Sequence, residues 1–134
     1  MIKPAAFLLA AVLGTLSFGA GAVSPKLPNL DAQVHCALVF GQVTREQSQK
    51  LPGSDRFPVM AKSAREFFVR TGARTLDEKA ATIETIEGYY LTRLTALQDS
   101  LIKAPDPAAA LDREFAQCLP QFQSVAPELT PAPR

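Results

Sequence analysis

The sequence predicts an all-α domain, a small four-helix bundle-like unit with one intramolecular disulfide, placed after an N-terminal signal peptide. Three observations carry this. Residues 1–22 have the order of charge, apolar run and small residues found in export signals. Four later segments repeat apolar residues at helical spacing, and no segment alternates convincingly as a strand does. The two cysteines, Cys36 and Cys118, stand near the two ends of the helical region.

The opening stretch MIKPAAFLLAAVLGTLSFGAGA has one charge, Lys3, and no other follows until Lys26. Its uncharged run approaches the roughly 20 residues of a membrane span. Gly14, Gly19, Gly21 and the small-residue site Ala20-Gly21-Ala22 favour cleavage after Ala22 instead. The expected organisation is a signal peptide over 1–22, an all-α domain over 23–119 and a proline-rich tail over 120–134. The Ala-rich signal and the preference for arginine over lysine point to a bacterial chain with a periplasmic or secreted destination, touching a membrane only through an uncleaved signal. Loss of Lys3 takes the net charge from +1 to about zero, which argues against nucleic acid as a general partner.

The first helix is expected from Asn29 or Asp31, either able to cap it, to Gln49. Ala32, Cys36, Val39, Phe40 and Val43 share its apolar face, while Asp31, His35, Gln42, Glu46 and Gln49 lie opposite. Leu51–Pro58 is a turn cluster, and Ser54 or Asp55 is placed to cap a second helix that ends at Gly72. Phe57, Met60, Ala61, Ala64, Phe67 and Phe68 form its apolar side. Thr75-Leu76-Asp77-Glu78 reads as a capping box for a third helix reaching Lys103, with Gly88 as a bend. Asp106 and Pro107 open the fourth helix, as cap and first helical residue, with Leu111, Phe115, Cys118 and Leu119 inward. Pro120 follows, and the remaining residues read as an extended, mobile tail.

Two cysteines in a small exported domain are most simply a disulfide. Closing a loop of about 82 residues is worth about 4.5 kcal/mol in the chain-entropy model. His35 and Cys36 differ by 100° on a helix, so they do not face one partner. Oxidation removes the thiolate that a Cys–His nucleophile requires, and one histidine falls short of a zinc site. His35 therefore reads as a solvated side chain, and no metal or cofactor is expected.

Glu87 is the anomaly of the third helix, near the centre of a stripe made by Leu76, Ile83, Tyr90 and Leu94. A buried carboxylate must be paired, hydrogen-bonded or neutral. Glu87 and Tyr90 are accordingly candidate binding or sensing residues, with Arg65 or Arg93 as candidate partners of the acid. Charge is uneven: Arg45–Arg74 holds seven basic and three acidic residues, whereas the chain from Thr75 onward holds five and nine. Arg65 and Arg70 thus mark a basic surface for an anionic partner, unless the two halves neutralise each other in the fold. Leu94–Gln98, LTALQ, resembles the L-T-x-x-Q motif of the Spy and CpxP family of periplasmic stress chaperones. The match spans five residues, inside a helix and in one copy, where that family starts helices with two, so no function is taken from it.

Phosphate-binding glycine loops, haem-attachment, serine-hydrolase and zinc-protease motifs are all absent from the sequence. With no convergent nucleophile, base and orienter, an enzyme is not expected. The reading that remains is an exported protein- or peptide-interaction module, such as an inhibitor, immunity factor or chaperone, whose partner is an envelope protein or peptide. The alternative is a small-ligand carrier or sensor with a pocket around Glu87, lined by Tyr90, Phe40 and Phe67.

Overall fold

In the computed structural model residues 26–132 are described, so the expected signal peptide over 1–22 lies outside the described residues. Helix α1 (Leu30–Ser48) is the axis of the domain. Val34 and the run Cys36–Phe40 are apolar nearly all round its circumference, and such a helix is stable only when neighbours cover it on several sides. All six are buried, together with Gln33 and Val43. Asn29 caps it, accepting from the Ala32 amide at 2.8 Å.

Helix α2 (Ala61–Lys79) runs antiparallel to α1, joined to it by Gln33–Thr71 at one end and by Gln47, which accepts from the Met60 amide, at the other. Helix α3 (Ile83–Lys103) lies alongside α1 in the parallel sense, tied by Asp31–Arg93 and Gln42–Gln98. Helix α4 (Pro107–Cys118) returns antiparallel, tied by His35–Glu114 and the disulfide. Thus α1 touches each of the other three. The core centres on Phe40, whose ring meets Phe67 at 4.9 Å, Phe122 at 4.8 Å and Phe115 at 5.8 Å. The Phe67 and Phe115 contacts are edge-on, the arrangement favoured by the ring quadrupoles.

The expected disulfide is present. Cys36 and Cys118 are joined with Cα atoms 5.2 Å apart, and both are buried. Such bonds belong to oxidising compartments. Among the described residues no helix is long and apolar enough to cross a membrane.

The second and third helices depart from expectation. A 3₁₀ turn, Ser54–Arg56, precedes α2, and Phe57 before Pro58 is extended, so α2 starts only at Ala61. It then passes through Gly72 to Lys79. A glycine in a helix interior costs only about 0.5–1 kcal/mol relative to alanine. Burial of Phe67, Thr71 and Thr75 on the same helix outweighs that. Thr75, expected as a cap, is inside α2, where its hydroxyl donates to the Thr71 carbonyl at 2.7 Å. The break falls at Ala80, which takes left-handed dihedrals (φ 46°), and the real capping box is Thr82 with Thr85. Gly72→Ala is expected to raise stability by about 0.5–1 kcal/mol, since an added Cβ meets nothing within 4 Å. Urea unfolding measures it, and a lower midpoint would refute it.

The expected tail is also wrong for most of its length. Leu119–Gln121 forms a 3₁₀ turn, Phe122–Val125 a one-turn helix, α5, and Pro127–Leu129 another 3₁₀ turn. Phe122 and Ala126 are fully buried. Proline at the first or second position of a turn is compatible with it, so Pro120 and Pro127 shape this segment without freeing it.

Candidate functional site

A cleft of about 630 Å³ opens at the end of the bundle where α1 and α3 finish and α4 begins. Three α1 residues, Gln42, Arg45 and Glu46, line it together with Gln49, the C-cap of α1. Their spacing of i, i+3, i+4 and i+7 is one helix face. That face is only partly covered: Gln42 meets Gln98 of α3 at 3.5 Å, while Val34, Val39, Phe40 and Val43 are turned inward. Helix α3 adds Gln98, Leu101 and Ile102, and α4 adds Pro107, Ala108 and Leu111. The turn after α1 supplies Leu51, Pro52 and Arg56.

The cleft has an apolar base and an amide-rich wall. Leu101 and Leu111 are buried, whereas Leu51 is 42% and Ile102 77% exposed at the edges. Gln98 donates to the Gln42 carboxamide oxygen at 3.5 Å, the limit of a hydrogen bond, which leaves most of their bonding capacity open. Arg56 is a brace. Its guanidinium donates to Asp112 Oδ1 at 2.5 Å and to the Gly53 carbonyl at 2.6 Å, and stacks on Phe57 at 4.2 Å. Gly53 takes φ 81° there, a conformation that side chains disfavour. Arg45 and Glu46 make no ion pair among the described residues. The lining has no cysteine, serine or histidine.

Glu87 sits elsewhere, about 22 Å along α3 from Ile102 at 1.5 Å per residue, and its side chain is exposed. Leu76 belongs to α2, and the buried line of α3 passes through Tyr90, Leu97 and Leu101. Glu87 is about 60° off that line at 100° per residue, which puts it in water. The expected interior pocket is filled by Phe40 and Phe67 packing against each other. Tyr90 is buried, its hydroxyl 3.0 Å from that of Thr75 and its ring edge-on to Phe68.

Arg65 and Arg70 do share a surface, a shallow hollow of about 390 Å³ with Lys62, Glu66, Glu128 and Leu129. Arg70 is committed within the fold: it binds Glu66 at 3.1 Å, Glu128, and the Val125 carbonyl at 3.0 Å. Arg56–Asp112 and Arg70–Glu128 pair the basic part of the chain with the acidic part, the internal neutralisation expected as the alternative to a basic docking surface. Arg65 is exposed and unpaired among the described residues.

Two clusters escaped the sequence reading. Buried Gln33 donates to Thr71 at 2.9 Å and accepts from Arg74 at 2.6 Å, and Arg74 also donates to the Pro28 carbonyl. The other surrounds Tyr89, whose hydroxyl donates to Asp31 while Arg93 and Lys79 lie over its ring at 4.6 and 4.9 Å. Burial, helped by Asp31, pushes the Tyr89 phenol up to about 12, and burial also raises Tyr90. The Tyr89 bond and the Arg93 charge lower the Asp31 carboxyl. A phenol raised in the folded state stabilises fully below its unfolded pKa of 10.0 and loses that contribution as pH climbs to about 12. Stability should therefore fall between pH 10 and 12, and Tyr89→Phe should flatten the fall. Tyrosinate absorbance tests this directly: a phenol titrating at 10 in the native protein would refute it. His35, expected in solvent, is half-exposed and bonded to Glu114 at 2.7 Å beside the disulfide.

Among the described residues no group of three His, Cys, Asp or Glu is placed to hold a metal. Comparison of the chain with protein-family models, with curated proteins and with solved structures finds no match to any of them.

Proposed function

We propose that the chain is an exported, periplasmic or secreted interaction module that binds a protein or peptide through the cleft between the ends of α1, α3 and α4. The carrying observation is the cleft itself, with buried leucines at its base and exposed Leu51 and Ile102 at its edges. Concave, mostly apolar surfaces with a few convergent polar groups are the usual form of binding sites, at volumes of about 300–1,000 Å³. Export is supported by the order of residues 1–22 and by the disulfide. Binding rather than catalysis is supported by a lining without an activated nucleophile. The alternative of a carrier or sensor around Glu87 has no support, because that carboxylate faces water and the interior beside it is packed with rings.

A photo-cross-linking residue at Ile102 in the cell should give a discrete protein or peptide adduct. The same residue at Glu84, exposed on the first turn of α3, should not. Identical adducts from both positions, or none from Ile102, would overturn the assignment.

A further inference from the structure

We infer that the cleft takes an extended peptide segment carrying one apolar anchor residue, an inference that rests on the binding-module reading and names its ligand. Three carboxamides, Gln42, Gln49 and Gln98, line the cleft, and a carboxamide presents the same donor and acceptor pair as a peptide unit. The link between Gln98 and Gln42 is a marginal 3.5 Å contact, so the hydrogen-bonding groups of these side chains are open to a ligand backbone. Arg56 is neutralised by Asp112, which leaves Arg45 and Glu46 as adjacent charges of opposite sign. A lining of that balance does not favour a polyanion or a simple cation. It suits a chain that is itself uncharged along its backbone and carries mixed side chains. The apolar base formed by Leu101 and Leu111 receives the anchor, because an aliphatic or aromatic side chain placed there leaves water as the surrounding glutamines bond the flanking backbone. A purely hydrocarbon ligand would leave those carboxamides unpaired on burial, which is unfavourable.

The test uses the mature protein and a phage-displayed library of random decapeptides, with selected peptides remade as free probes for fluorescence polarisation. Ile102→Arg, which places a charge at the cleft edge, should weaken a selected peptide at least tenfold. Gln49→Leu and Gln98→Leu should each weaken it about tenfold by removing backbone partners while keeping side-chain bulk. N-methylation of single backbone amides in the probe should reproduce that loss at the contacted positions. Circular dichroism melts exclude unfolded variants. Peptides that bind Ile102→Arg as well as the parent place recognition on another surface and overturn the cleft as the site. Peptides that depend on Ile102 but ignore both glutamine changes and N-methylation overturn backbone recognition while leaving the binding module standing. Dodecanoate bound in an Ile102-dependent way, with no peptide selected, overturns both.

Discussion

A chain ending at Leu119 should lose about 5 kcal/mol or more and show no cooperative unfolding transition at 37 °C. The expectation comes from what the last segment covers. Phe122 is fully buried and its ring lies 4.8 Å from Phe40 and 5.0 Å from Phe67. Truncating a phenylalanine so placed costs about 3–5 kcal/mol, and burial of Val125 is worth about 1.5–3 kcal/mol more. Ser63 would lose the Leu129 carbonyl to which it donates at 2.7 Å, and Arg70 would lose both Val125 and Glu128. Together these approach the whole stability of a typical domain, about 5–15 kcal/mol. Phe122→Ala in the full chain separates the ring from the rest, with an expected loss of about 3–5 kcal/mol in urea unfolding. A truncated chain within about 1 kcal/mol of the full one would show the segment to be dispensable.

The helices that sequence reading placed well are those whose local signals and tertiary fates agree. Asn29 caps α1, and Asp106 with Pro107 opens α4, because each signal is a local hydrogen-bond or dihedral requirement that neighbours do not alter. The α2–α3 boundary was misread where two local signals of about 1 kcal/mol competed with burial. Gly72 looks like a stop and Thr75 like a cap only until Phe67, Thr71 and Thr75 are seen to pack on one side. Glu87 followed from that error, since the stripe in which it seemed central mixed residues of two helices. Phe122 was hidden for another reason. Proline density around it imitates an extended tail, and only the position of Cys118 against α1 shows that the next turn must enter the core. The cleft was half visible: Gln42, Glu46 and Gln49 were placed on the wet side of α1, but its other walls come from residues some 50 positions away. Their approach is a tertiary fact that no periodicity in α1 contains.

Replacing both cysteines, Cys36→Ala with Cys118→Ala, should lower stability by about 2–5 kcal/mol. The bridge closes 82 residues, nearly the whole domain, so the unfolded chain regains a long loop's freedom when it is cut. Both cysteines are buried, and alanine at the two positions leaves a small void between α1 and α4. The placement adds a second consequence. Cys118 is the last residue of α4 and stands four positions before Phe122, so the bond sets where the final segment starts. With that anchor gone, docking of Phe122 must restrain a freer strand, and the segment's contribution shrinks. The disulfide change and Phe122→Ala should therefore be less than additive, with a coupling of about 0.5–3 kcal/mol in a double-mutant cycle read by urea unfolding. Full additivity would mean that Phe122 is positioned by its own packing, independently of the bond beside it.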